Sequence, residues 1–133
     1  MDARDFLVIA DHFRASASEA ERRTSVGRSY YALFNVVLGA LSAKGVIFRQ
    51  TPDDHHTLVS YLTKVKHRQA GSIAEALKGL RLDRNLADYD MRTAVSMKTS
   101  EFLYQKAKGA IEQFDSIPVT ELNEIVRKIQ AIP

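Results

Sequence analysis

The stretch Tyr30, Leu33, Phe34, Val37, Leu38, Leu41 constrains this chain more than any other. Its spacing is helical, yet its apolar residues cover more than one face of the helix. A helix of that kind is stable in water only when other elements surround it. The rest of the sequence must therefore supply partners that wrap this helix, which predicts a bundle with the segment from about residue 18 to 44 at its centre.

The remaining segments have the right pattern to be those partners. Helical periodicity runs almost throughout, and no stretch alternates like a strand. A first helix over about residues 3–14 places Phe6, Ile9, Ala10 and Phe13 on one face. Ser18 and Glu21 form a capping box that opens the central helix, and Gly45 suits its left-handed end. A loop with Thr51-Pro52 follows, and Asp53 or Asp54 caps a third helix carrying Leu58, Val59, Leu62 and Val65. After Gly71, the pair Ser72 and Glu75 is read as a second capping box, opening a fourth helix to about residue 89. A fifth helix over about 93–114 carries Val95, Phe102, Leu103, Ala107, Ile111 and Phe114. Beyond Pro118, Thr120 caps a short last helix over about 120–132, with Leu122, Ile125, Val126, Ile129 and Ile132 on one side. That helix packs on its own bundle or reaches a partner subunit as an arm. The expected fold is all-α: an up-and-down bundle of about five helices (core about 2–115) plus a short C-terminal helix, one domain over 1–133.

Composition excludes several classes of function. With 133 residues, 45% of them hydrophobic and 26% charged, the chain can bury a core without covalent staples. The lack of cysteine rules out disulfides, thiol catalysis and thiolate zinc sites, and suits a reducing cytoplasm, the expected location. No N-terminal signal pattern is read, and the most apolar run, interrupted by Asn35, Gly39 and Ser42, is too short for a bilayer. The net charge of +3 permits nucleic-acid binding without arguing for it. The clusters Glu21-Arg22-Arg23 and Lys64 to Arg68 read as solvated surface. No Glu-x-x-His pair occurs, which argues against a di-iron bundle. No metal or cofactor is expected.

One position breaks the apolar pattern. On the fourth helix Ile73, Leu77 and Leu80 define a stripe whose next members are Arg84, then Ala87 or Asp88, then Met91. An arginine in line with a buried stripe needs an anionic or carbonyl partner. Two readings stand: an ion pair with Asp88 one turn on, or a site where a phosphate meets the guanidinium fork. Arg28 shares a helical face with Tyr31 and Asn35, so that polar-edged strip belongs either to a subunit seam or to a cleft beside Arg84. Tyr30 and Tyr31 read as core. Adjacent His55 and His56 point to different sides of their helix and read as capping or surface groups, while His12 and His67 have no informative context.

Two segments carry a family resemblance. Arg28 followed by Tyr30-Tyr31-Ala32 and Phe34 resembles the Arg-x-Tyr-Tyr-Ala-x-Phe signature in the second helix of HEPN domains. Arg84-Asn85-Leu86-Ala87-Asp88-Tyr89 resembles the Arg-Asn-x-Ala-Asp-Tyr segment of a HEPN branch often encoded beside nucleotidyltransferases, and His56 resembles a histidine found there. The likeness spans about residues 2–114. It implies a homodimer that brings two motif helices to one cleft, with a possible nucleotidyltransferase-family partner. Many members are metal-independent ribonucleases, several of them toxins, using Arg-x4-6-His.

Here the position five after Arg84 holds Tyr89 where nuclease members carry histidine, and the position two beyond it holds Met91. Histidine titrates near neutrality. Making tyrosine a base at pH 7 costs about 4 kcal/mol, comparable to the whole usual gain from acid–base catalysis. The resemblance thus implies a module binding RNA or a nucleotide through Arg84, Asn85, Asp88, Tyr89 and Arg28, without nuclease activity. The alternative is an RNase toxin in which Arg84 works with Tyr89 or His56.

Overall fold

A computed structural model describes all residues, 1–133, and contains helices α1 (Asp5–Phe13), α2 (Glu19–Ala43), α3 (Asp54–Lys64), α4 (Arg68–Tyr89), α5 (Met97–Asp115) and α6 (Val119–Gln130), with no strand. As its pattern requires, α2 is the centre: α1, α4 and α5 all pack on it, α3 lies on α4, and α6 touches α3. Leu33, Val37 and Leu41 of α2 are fully buried, together with Leu58 of α3 and Leu77 and Leu80 of α4. Fully burying each such side chain is worth about 1.5–3 kcal/mol, so the surrounded helix nucleates one continuous core. No helix is long and apolar enough to cross a membrane.

α6 buries Ile125, Val126 and Ile129 against that core, and Lys44 donates to Asn123 at its edge, 2.9 Å away. The last helix thus docks on its own bundle.

Several helix starts differ from the sequence expectation, each for a local reason. α4 begins at Arg68, one turn before Ser72, because the His67 imidazole accepts the Ala70 amide as a cap at 3.3 Å. Ser72 is inside the helix and donates to Gln113 instead. α5 begins at Met97, where Ser96 accepts the Thr99 amide at 3.1 Å, leaving Thr93 in the preceding loop to bond Asp90. α6 starts at Val119, with Pro118 in the cap position and no side-chain cap. Asp53 makes no cap bond either; Asp54 instead accepts the Arg49 amide at 3.2 Å and folds the loop back onto α3. Ser18 does cap α2, but Glu21 reaches the cap only through the Ser16 hydroxyl. Ile9 and Phe102, expected on inner faces, are exposed, as is Met91.

The Arg22-Arg23 pair is not solvated surface. Arg22 donates to the carbonyls of Val95, Ser16 and Ala17. Arg23 donates to those of Ala87, Asp90 and Thr93 at 2.8, 3.0 and 2.5 Å. The last turn of a helix leaves its carbonyls without intrahelical donors, and Arg23 supplies one to Ala87 there and others to Asp90 and Thr93 just beyond the helix end.

Candidate functional site

The site is built where α2 and α4 run side by side. Helical geometry advances about 100° per residue, so Arg84 and Asp88 point the same way from α4, toward Arg28 and Tyr31 of α2. Arg84 Nε lies 3.1 Å from an Asp88 carboxylate oxygen. It is buried and off the hydrogen-bond direction, so that nitrogen has no bonded partner. One terminal nitrogen donates weakly to Asn85 at 3.3 Å.

An aromatic ring supports the two arginines. The Arg84 guanidinium sits 5.0 Å from the Tyr31 ring centre, and Arg28 sits 5.8 Å from it and 5.6 Å from Phe6. Cations within about 6 Å of a ring face gain roughly 0.5–2 kcal/mol, which fixes both forks without consuming their N–H donors. Arg28 takes part in no ion pair. Arg28, Arg84, Tyr31, Asp88 and Thr24 line a groove of about 280 Å³. Asn35, expected on the same strip, turns back to donate to the Tyr31 carbonyl. Within one chain, Arg28 and Tyr31 of that strip line the cleft beside Arg84, and Asn35 does not.

The groove continues toward α3. Arg84 and Tyr31 also line a second pocket with Arg81 and His55, and those two residues line a third hollow with His56 and Lys78. Arg81 makes no ion pair. It lies 3.4 Å from His56 Nε2, and since a guanidinium only donates, the imidazole nitrogen accepts. Three arginines thus follow one path, with Asp88 the only carboxylate paired to any of them.

Beneath this path is a pair that the sequence reading missed. The Tyr30 hydroxyl and His55 Nδ1 are 2.7 Å apart and share a buried hydrogen bond. Burial pushes Tyr30 up to about 12. Burial also pushes His55 down to about 4, with Arg81 and His56 adding to the effect. At neutral pH both groups are uncharged. His55 is therefore a core group rather than a cap or surface histidine, while His56 is exposed beside it, the rings meeting edge-on at 5.3 Å. No third His, Asp or Glu joins them in a metal-holding group.

The expected site residues divide between two sides of α4. Arg84, Asp88 and Arg28 meet in the groove. Asn85 borders the hollow near His56 and also a separate apolar one. Tyr89, five residues and so about 140° round from Arg84, is 75% exposed on that apolar side with Leu82, Leu86 and Met91. Within one chain neither Tyr89 nor His56 shares the hollow that holds Arg84 and Asp88.

Comparisons with family profiles, with curated proteins and with solved structures find no match to this chain.

Proposed function

We propose that this chain is a HEPN-type module that binds a phosphate-bearing ligand, RNA or a nucleotide, in the groove between α2 and α4. One observation carries the reading: Arg84 is held on Tyr31 with its Nε buried and unbonded, next to an unpaired Arg28, at the wall of an open groove. A guanidinium that served only Asp88 would align its N–H bonds with that carboxylate. Two preset forks around one aromatic ring suit the bidentate capture of phosphate oxygens.

Binding is favoured over cleavage. Cleavage needs a group near neutrality at the phosphate, and no histidine lines the groove holding Arg28, Arg84 and Asp88. The competing reading, an RNase using Tyr89 or His56, predicts RNA breakdown in EDTA that Arg84→Ala abolishes; intact RNA bound by the protein supports the module.

The module works as a homodimer in this reading, with a nucleotidyltransferase-like protein as its further partner. The exposed face Leu82, Leu86, Tyr89 and Met91 supports the dimer, because an apolar patch of this kind commonly marks an interaction surface. Light scattering tests it: a mass twice the 14.9 kDa of one chain is expected, and Leu86→Glu should halve it. The absorbance ratio of the purified protein reports any nucleic acid carried along.

A further inference from the structure

Beyond Arg84 the groove deepens into a pocket of about 310 Å³ against the first turn of α3. That is the lower end of the range for small-ligand sites, about 300–1,000 Å³. The half-buried Tyr31 and Phe34 and the exposed Pro52 line it together with Arg81 and Arg84, and the buried Tyr30 lies behind them. The Tyr30 and Phe34 rings are stacked with centres 5.7 Å apart and planes 15° from parallel. The part of Phe34 left uncovered beside these cations suits an unstacked nucleobase, since every base has a face to stack and a phosphate attached nearby.

The polar group that could discriminate among bases is Asp54. It lines the pocket and is only 7% exposed. One of its oxygens accepts the Arg49 amide, and no cation pairs with it. Its place in the first turn of α3 favours a carboxylate there without a cation, and folding the loop back would be served equally by an amide oxygen. A carboxylate only accepts hydrogen bonds. Guanine offers two adjacent N–H donors, at N1 and N2. Adenine and cytosine set an acceptor beside their donor, and uracil flanks its donor with two acceptors.

We infer that this pocket takes a guanine base, with the Asp54 carboxylate accepting from its N1 and N2 donors while the attached phosphate lies on Arg84, at the mouth of the groove it shares with Arg28. This rests on the phosphate reading above. The base comes from a free guanine nucleotide or from one unpaired residue of RNA. Asp54 is then a specificity residue, while the polar atoms of Tyr30 and His55 Nδ1 are occupied with each other.

Calorimetric titration of the full chain with GMP, AMP, UMP and inorganic phosphate tests this, alongside uridine hexamers carrying one central guanosine or adenosine. Tighter binding of the guanine member by tenfold or more is expected. Preference among the mononucleotides identifies the free nucleotide as the source, and preference among the hexamers alone identifies RNA. In Asp54→Asn the amide oxygen can still hold the Arg49 amide, but the –NH₂ group now opposes guanine N2. That variant should lose the guanine preference and gain xanthosine monophosphate, whose O2 accepts where guanine N2 donates. Equal binding of guanine and adenine members in the wild type, with phosphate still bound, overturns the base assignment and leaves the phosphate site standing. No binding of any of these ligands overturns both.

Discussion

The two sides of α4 over residues 82–91 differ sharply although they share one helix. On one side Arg84 and Asp88 face Arg28 and Tyr31 across a polar groove. On the other, Leu82, Tyr89 and Met91 are largely exposed and Leu86 is about half covered. The difference follows from what lies opposite. The groove side meets α2, where the Arg84 guanidinium stacks on the Tyr31 ring at 5.0 Å. On the other side Leu82, Tyr89 and Met91 border an open apolar hollow, while Leu86 also lines a hollow with Thr99 and Leu103 of α5. A motif read as one string, Arg84-Asn85-Leu86-Ala87-Asp88-Tyr89, thus serves two surfaces: one suited to an anion and one to an apolar partner.

Both surfaces depend on α4 ending where it does, and Arg23 secures that end. Arg23→Ala strips a charged donor from the carbonyls of Ala87, Asp90 and Thr93, and hydrogen bonds to charged groups are worth about 1.5–3 kcal/mol. Urea denaturation should show a loss of about 3 kcal/mol, the largest effect of the set. An unchanged midpoint would detach the geometry of both faces from this clamp.

On the groove side the response to pH comes from His55. His55 has a folded value of about 4, below its ordinary 6.5, so the unfolded chain binds more protons between those values. Stability should therefore fall as pH drops from about 6.5 to about 4 and level off below. The loss attributable to His55 is about 2 kcal/mol, allowing for solvent in the adjoining groove. A His55→Gln variant should lose that slope, and comparing denaturation curves across the window checks it.

Ligand binding separates the faces next. Arg84→Ala should weaken phosphate-ligand binding about tenfold, or about 1.4 kcal/mol, while Tyr89→Ser leaves the affinity of one chain's groove within about twofold. Equal losses would mean that the two faces act as one site. The smallest effect concerns the fold of one chain: in a Leu86→Glu background, where the dimer should be broken, Tyr89→Ser should alter stability by less than about 0.5 kcal/mol, because the ring is 75% exposed within one chain. A larger loss in that monomer would mean that Tyr89 supports its own bundle rather than a partner.

The bundle was legible because α2 is apolar on more than one face and its neighbours carry single stripes. Arg84 was legible for a related reason: a charge standing in line with Leu77 and Leu80 must have a partner. The same logic reaches Arg23, which shares a face with Val26, Gly27 and Tyr30, and would have distinguished it from solvated surface. Other features have no local signature. Tyr30 meets His55 across 25 positions, and Arg81 joins the groove only because α3 lies on α4. The His67 cap was hidden because imidazole is not among the usual capping groups, and Thr93 looked like a start only because Asp90 had not yet been seen to hold it in a loop.

The most direct measurement is a residue-resolved NMR titration of the labelled protein with a single-stranded RNA hexamer. Amide shifts should concentrate at Gly27, Arg28, Tyr31, Arg84 and Asp88 and spare Leu82 and Met91. Shifts confined to the Leu82–Met91 side, with the Arg28 and Arg84 amides unmoved, would contradict a phosphate site between α2 and α4.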